Sequence, residues 1–578
     1  MFARLHPLEQ LAFDALAVAL VLFYSYSAVV APAATQYHRG VYIVITYILV
    51  FLIYRSEHPA LRVLDYVLMA LAVGTVGYWM ANFEAINYRT GAETELDTYI
   101  AVLGVLIGIE VARRVVGIVF VILGAAMLLY GVYGDVMPDL VAHAGKTFPA
   151  LCTSIFYKGD GVFGIMANVL ATYIILFVLF GAFLEQSGAQ RFFINFPLAA
   201  VGHKIGGPAK VSVVASGLFG SISGSAIANT VSTGAFTIPM MKRAGFKPHV
   251  AGGIEPAASI GGMFMPPIMG AGGFLMAEMT GIAYSHIMLV AIFPALMYFF
   301  SVFVMVHYEA KKHNIVGERH EHSAMTILKR EWFYTLPLLA ITVLMLMGYS
   351  PGFSAIVGMV CCIVVSWFRK DTRIGPRRFV HAARAGAASG LKIGATVGVI
   401  GIIIGVLTFS GLVLTFADIV IELADGRLWL TIALIALASL VLGMGVPVTA
   451  AYLITAVVAV PALTHLGVPE IAAHMIVYWL SQDSNITPPV CIAAFAGATI
   501  AKANVWLTAI TAFKFAKFLY LGPFIFAYVP AFSLNGSTSD IAITFACVAA
   551  GTFAYAWLLS GVWMRRVSQW FSPRARAT

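Results

Sequence analysis

The stretch Ser481-Gln482-Asp483-Ser484-Asn485-Ile486-Thr487-Pro488-Pro489 decides how this chain is read. It lies inside an apolar run from about residue 470 to 502, long enough to cross a ~30 Å hydrocarbon core, yet it carries an acid, several polar side chains and two adjacent prolines. Proline lacks a backbone N–H and clashes with the preceding turn, so a helix must break here. Displacing the sequence by 222 residues returns a second such segment, Ser259-Ile260-Gly261-Gly262-Met263-Phe264-Met265-Pro266-Pro267. The same offset pairs Pro239 with Pro461, Gly245 with Gly467 and Ala251 with Ala473. An interrupted membrane element therefore occurs twice.

Each break follows a long apolar stretch, 211 to 240 and 428 to 463, too long for one crossing and interrupted in its middle. The first interruption reads Gly220-Ser221-Ile222-Ser223-Gly224-Ser225-Ala226-Ile227-Ala228-Asn229-Thr230, the second Gly443-Met444-Gly445-Val446-Pro447-Val448-Thr449. Both stretches predict re-entrant hairpins. Lys204, Lys210, Lys242, Arg243 and Lys247 flank the first, whereas Asp425, Arg427 and Glu470 flank the second, so the hairpins enter from opposite faces. The repeats, about 160–310 and 385–530, are then inverted, an architecture of secondary transporters with a midplane site.

Composition agrees. Hydrophobic residues make up 61% and charged residues 11%, where a soluble globule carries about a quarter charged, so classical soluble enzymes are excluded. Fourteen apolar runs outside the hairpins are candidate spans, near 9–31, 41–54, 62–82, 98–112, 115–133, 162–185, 250–282, 284–307, 335–349, 352–368, 390–424, 470–502, 506–530 and 541–563. The expected fold is an all-α polytopic membrane protein of about 14 spans plus two re-entrant hairpins. The first run lacks a small-residue cleavage site with a polar sequel and reads as a retained helix. The weakest boundary is at Arg113-Arg114, where one continuous helix is the alternative. Segment 186–203 reads as an interfacial helix, and Lys311 to Glu331 as a solvated linker. The five cysteines lack metal-ligand spacing.

The net charge of +9 raises nucleic acid as a partner, but topology explains it. With a cytoplasmic N-terminus, 27 of the 35 Lys and Arg residues fall in inside segments, among them Arg4, Arg319, Arg565, Arg566, Arg574 and Arg576. The outside loops hold Arg39, Arg89, Lys146, Lys158 and Arg427, together with the acidic group Glu84, Glu93, Glu95 and Asp97. Positive-inside bias is satisfied, both termini are cytoplasmic, and the basic partner is the lipid bilayer rather than nucleic acid.

Small hydroxyl residues and glycines at a broken backbone expose carbonyls that can coordinate a hard cation. The candidate cation-binding residues are Ser221, Ser223, Gly224 and Ser225 with Ser259 and Gly261 in the first repeat. In the second they are Gly443, Gly445 and Thr449 with Ser481, Asp483, Asn485 and Thr487. Close helix packing by Gly and Ser is the competing explanation, weakened by the two tips matching. Asp483 is an acid in mid-span and suits Na⁺ or a proton, and Na⁺ is the only metal suggested; no cofactor is called for. Half-helix N-termini after the breaks favour an anionic group, so Ser225, Asn229, Pro266, Pro267, Pro447, Thr449, Pro488 and Pro489 are the candidate substrate contacts for a small organic anion such as a carboxylate. Glu255 and Glu278 read as snorkelling or locally bonded rather than as ligands, and Lys514 and Lys517 as interfacial.

Further residues carry a family resemblance: Gly206-Gly207-Pro208-Ala209-Lys210, Ser221 to Asn229, Thr237-Ile238-Pro239-Met240-Met241-Lys242-Arg243, Met265-Pro266-Pro267-Ile268-Met269-Gly270, Gly443 to Pro447, Thr449-Ala450-Ala451-Tyr452, Ile486 to Pro489 and Thr511-Ala512-Phe513-Lys514. From about residue 100 to 530 the chain resembles the fused permease subunits of tripartite ATP-independent periplasmic (TRAP) transporters, especially the TAXI type. Glu110 to Gly117 also looks family-like. The resemblance implies a small N-terminal scaffold-like membrane domain (1–134), a large transport domain (135–540) and a C-terminal helix with a basic tail (541–578). It also implies a multi-pass protein of the bacterial inner membrane, a separate periplasmic solute-binding protein, cation coupling and an elevator motion. Ser481 to Asn485 is more polar than the family pattern, which leaves Na⁺ and H⁺ both open.

A stand-alone cation-coupled organic anion symporter is the nearest rival. A channel suits paired inverted hairpins less well, and an intramembrane enzyme lacks support because neither a His-Glu-x-x-His nor a Gly-x-x-x-x-Gly-Lys motif is present. The topology has a direct check. A single cysteine near Glu93 should react with an impermeant thiol reagent added outside, and one at Arg319 or Arg574 should not; external labelling of both latter positions would reverse the orientation.

Overall fold

The computed structural model describes residues 5–56, 59–317 and 321–561. Arg4, Arg319, Arg565, Arg566, Arg574 and Arg576, which enter the charge arithmetic, lie outside them, as does the basic tail from 562. Among the described residues there is no β-strand, only an isolated antiparallel bridge between Ile205 and Val316. Among the described residues nine helices are long and apolar enough to cross a membrane unaided, and shorter apolar helices accompany them, so the chain is a multi-pass membrane protein.

Five helices, Pro7–Val29, Thr35–Ile53, Pro59–Ala81, Glu95–Val115 and Ile118–Val132, follow the first five apolar runs, with a short helix Phe83–Tyr88 between the third and fourth. Thr94 and Asp97 form a capping box at the start of the fourth, and Arg89 pairs with Asp97 at 2.6 Å. The doubtful boundary is a true break, because Gly117 adopts φ +111°, a conformation that L side chains rarely reach. Glu110, Arg113 and Arg114 now have chemistry: Arg114 bridges Glu110 at 2.7 Å and Asp65 of the preceding helix at 2.6 Å. The helix Phe148–Tyr157 was not expected, since ten residues are too few to announce a span. It is held by the Phe156 ring, which fills the space a Cβ on Gly104 would need.

Helix Ile165–Gln186, with a π-turn at Leu170–Ile174, crosses Pro376–Gly394 where Gly386 meets Leu179. Ala189–Val201 is the expected helix leading to the first hairpin. The run 390–424, expected as one span, is instead the end of a long pair, Pro376–Gly394 and Val397–Ser410, followed by a separate helix Leu412–Leu423. Gly411, at φ +71°, makes that turn. The supposed solvated linker is partly helical too: Tyr284–Lys312 runs on to Lys312, and Ser323 caps Ala324–Glu331. Helix Thr538–Ser560 lies against Tyr284–Lys312, with Phe293 and Phe545 stacked at 3.6 Å.

Both hairpins and both broken helices are present. The first hairpin has limbs Gly207–Ser223 and Ala226–Arg243, the second Leu428–Leu442 and Val448–His465. The broken helices are Pro248–Gly261 with Gly270–Thr280, and Glu470–Leu480 with Ile492–Ala501. The second half-helices start from equivalent left-handed residues, Met269 (φ 54°) and Cys491 (φ 36°), and the Pro266-Pro267 and Pro488-Pro489 bonds are both cis.

Each hairpin seats its tip on its broken helix through glycine. A Cβ on Gly262 would lie 2.4 Å from the Gly220 Cα, and one on Gly443 would lie 2.7 Å from Ser484 Oγ. Gly262→Ala should therefore overpack a backbone-to-backbone contact and cost about 1–3 kcal/mol, read as a lower Tm in detergent. Gly77→Ala, with nothing within 4 Å of the new methyl, should leave Tm unchanged or slightly higher.

Candidate functional site

The two breaks lie side by side. Tyr478, in the first half of the second broken helix, donates its hydroxyl to the carbonyls of Met263 (2.8 Å) and Met269 (2.5 Å) across the first break. Phe264 stacks on Trp479 at 4.4 Å, and Tyr284 donates to the carbonyls of Pro267 (2.8 Å) and Ile268 (2.7 Å). The carbonyls freed by the first proline pair thus find tyrosine hydroxyls, satisfying backbone groups that membrane burial would otherwise leave unpaired.

The second break is built differently. The position equivalent to Gly261 is Asp483, which is only 2% exposed and whose Oδ1 has no hydrogen-bond partner among the described residues. Both amide atoms of the neighbouring Gln482 are likewise buried and unpartnered. Asn485 donates to Gln482 O at 3.2 Å, Ser481 to Tyr478 O at 2.7 Å, and Thr487 shares a hydrogen bond with Tyr520. Buried polar groups nearly always have partners, so a carboxylate oxygen and an amide oxygen left over at one break are chemically suited to holding a small cation.

The other expected residues divide. Ser225 caps the second limb of the first hairpin, accepting from Ala228 N–H at 3.3 Å, and Ser223 donates to Ser225 O at 3.4 Å. Ser221 is turned to Leu218 O at 2.8 Å, and Gly224 lies over Gly270 at the start of a half-helix. A Cβ on Gly261 would strike Tyr298 and Phe299, and its carbonyl accepts from Phe264 N–H at 3.1 Å, so its small size serves packing. Thr449 is buried, Gly443 abuts Ser484, and Gly445 turns the second tip (φ 76°) next to Val119 of the N-terminal region. Pro266, Pro267, Pro447 and Pro488 are partly exposed and Pro489 exposed. Asn229 is fully buried between the hairpin limbs, donating to Ser216 O at 2.9 Å, and is not at an open surface.

Of the two readings open for Glu255 and Glu278, snorkelling or local bonding, the structure shows local bonding for both. Glu255 does not snorkel: it is fully buried, and Ser212, Ser216, Thr233 and Thr237 all donate to its carboxyl group. Their spacing, 212/216 and 229/233/237, is a polar stripe on apolar helices and was the available signal. Lys514 is not merely interfacial but pairs with Glu309 at 3.0 Å. Exposed Glu278 accepts from Asn168 at 2.8 Å, and Asn168 in turn accepts from Arg39 at 3.2 Å. Tyr478 and Tyr284 were missed because a tyrosine in an apolar run carries no motif.

Residues 103–535 match the family described as the tripartite ATP-independent periplasmic transporter, DctM component. A putative TRAP transporter large permease protein of Haemophilus influenzae is 24% identical over 399 residues, 68% of this chain and 88% of the relative. A C4-dicarboxylate TRAP transporter large permease protein, DctM, of Pseudomonas aeruginosa is 24% identical over 371 residues, 62% of this chain and 84% of the relative. The 2,3-diketo-L-gulonate TRAP transporter large permease protein YiaN of Escherichia coli is 26% identical over 176 residues, 30% and 40% respectively. The family and these relatives are transporter permeases and not enzymes.

If the matched tips are working parts rather than packing, Ser225→Leu and Thr449→Leu should each abolish uptake in cells while leaving the amount of protein in the membrane fraction unchanged. Normal uptake by both would return the tips to a packing role.

Proposed function

Because the chain belongs to the DctM family of tripartite ATP-independent periplasmic transporters, we propose that it is the permease of a secondary transporter that imports a small organic acid, driven by a cation gradient. The observation that carries the reading is the second break, where Asp483 Oδ1 and the Gln482 amide are buried and unpartnered in mid-membrane. Relatives named for C4-dicarboxylate, sialic acid and 2,3-diketo-L-gulonate support an organic acid as cargo. Half-helices Gly270–Thr280 and Ile492–Ala501 begin at the breaks, and their unpaired N–H groups suit a carboxylate.

In this reading a periplasmic solute-binding protein of the TAXI type delivers the substrate, and the N-terminal region 1–134 acts as a fused small subunit. The membrane is the bacterial inner membrane, and both termini are cytoplasmic, in keeping with the positive-inside bias. Alternating access is of the elevator type, with hairpins and broken helices moving as one body. The cross-repeat contacts of Tyr478 and the donation from Lys242 to Ala501 O at 2.7 Å favour such a unit. Proteoliposomes carrying the chain, supplied with labelled C4-dicarboxylate or sialic acid, with and without a TAXI-type binding protein, test it. Uptake only with the binding protein and an imposed Na⁺ or pH gradient is the expected result; uptake of free substrate by the chain alone would establish the stand-alone symporter.

Asp483→Asn keeps the shape and one carbonyl acceptor but loses the charge. It should weaken the response to the driving gradient far more than it lowers Tm, with loss of the pH-gradient response meaning proton carriage and a raised Na⁺ requirement meaning direct ligation. Unchanged dependence on both gradients would remove Asp483 from the mechanism.

A further inference from the structure

Glu255 sits near the middle of Pro248–Gly261 and is enclosed by the two limbs of the first hairpin. Ser216 and Thr233 donate to Oε1, Ser212 and Thr237 to Oε2, and Ser259 lies 3.5 Å from Oε1. An ionised carboxylate has about four lone-pair sites, and four hydroxyls fill them.

The charged and titratable groups on the surrounding helices are either engaged with other partners or placed at helix ends. On the hairpin limbs, Lys210 contacts His307 at 3.0 Å, Lys242 donates to Ala501 O, and Arg243 stands at the far end of its helix. On Tyr284–Lys312, Tyr298 donates to Ala257 O at 2.7 Å, and Glu309 pairs with Lys514 of Val505–Phe515. Lys502 follows Ile492–Ala501, and His249 begins the helix that carries Glu255. The hydrogen-bond partners of Glu255 are hydroxyls, and its negative charge has no ion-pair partner among the described residues.

The hydroxyls also have somewhere else to turn. Thr233 Oγ1 is 2.7 Å from Asn229 O, and Thr237 Oγ1 is 3.1 Å from Thr233 O. If the carboxylate takes up a proton it becomes a donor, and one threonine can accept from it while redirecting its own O–H to the backbone. Either protonation state is then fully hydrogen-bonded. A second observation points the same way: Asn229 Oδ1, one turn from Thr233, is fully buried and has no partner among the described residues. Ser225, Asn229, Thr233 and Thr237 recur every fourth residue and so share one face of the limb, leading from the partly exposed tip to Glu255.

We infer that Glu255 is a reversible proton-binding site within the first hairpin, reached from the tip along the Ser225–Asn229–Thr233 face. One proton from the aqueous phase adds to the carboxylate to give the acid, and its departure restores the anion; no other reactant is needed. That this proton serves as a coupling ion rests on the permease reading above, whereas the site itself is tested without transport.

The test is an infrared difference titration of the full chain in lipid nanodiscs between about pH 5 and about pH 9. Wild-type protein should show a protonated-carboxyl band that converts reversibly to carboxylate, is lost in Glu255→Gln and persists in Asp483→Asn. Thr237→Val, which removes one hydroxyl donor, should shift that band without removing it and so covers the case in which Glu255→Gln misfolds. Difference spectra that are the same in wild type and Glu255→Gln, or a Glu255 band unmoved by pH or by Thr237→Val, would overturn the inference whatever the outcome of the uptake measurements.

Discussion

A backbone carbonyl or N–H released from a helix inside a bilayer has no water to turn to, and each one left unpaired costs several kcal/mol. The proline pairs at 266–267 and 488–489 release such groups in two places, and the surrounding architecture answers to that fact. Hairpins return to the break level and pack on it through Gly220 against Gly262 and Gly443 against Ser484. Tyr284 of the first repeat and Tyr478 of the second bring phenolic hydroxyls to the first break, so one residue of the second repeat helps complete the backbone hydrogen bonding of the first. The repeats are joined at the positions where each is weakest alone.

The duplication is topological rather than chemical. Where the first repeat has Gly261 facing aromatic rings, the second has Asp483 with an unpartnered oxygen; where the first has Glu255, the second has Val477. The ionisable groups therefore occupy different depths in the two halves, one at the break and one beneath the hairpin tip. Their environments differ as well. Hydrogen bonds to a charged group contribute about 1.5–3 kcal/mol each, so the four hydroxyls on Glu255 are of the same order as the several kcal/mol that burying one carboxylate costs. Asp483 has no comparable set among the described residues, and in the proposed function the driving cation, Na⁺ or H⁺, offsets its charge.

Elements with strong one-dimensional signals were legible from the sequence. The offset of the proline pairs located both broken helices, the glycine-rich interruptions located both hairpin tips, and hydropathy located most of the other apolar helices, though not the divisions of the run 390–424. What escaped depends on contacts between distant segments. Phe148–Tyr157 is too short to read as a span and is recognisable only by its fit into Gly104. Tyr478 looks like any aromatic residue of a buried helix until its hydroxyl is found between two carbonyls 209 or more residues away. For Glu255 single-residue reasoning leaves snorkelling and local bonding both open, because the hydroxyls that enclose it lie up to 43 residues earlier. Polar spacing of four along both hairpin limbs carried that information and went unused.

The central claim is that the hairpin tips and breaks form one site open alternately to the two sides of the membrane. Met444, at the tip of the second hairpin and 37% exposed, offers the most direct probe. Met444→Cys in an otherwise cysteine-free chain should react with an impermeant thiol reagent in both right-side-out and inside-out vesicles, with the ratio of the two rates changing when Na⁺ or pH is changed. Reaction from one side alone, at a rate indifferent to both ions, would contradict the account.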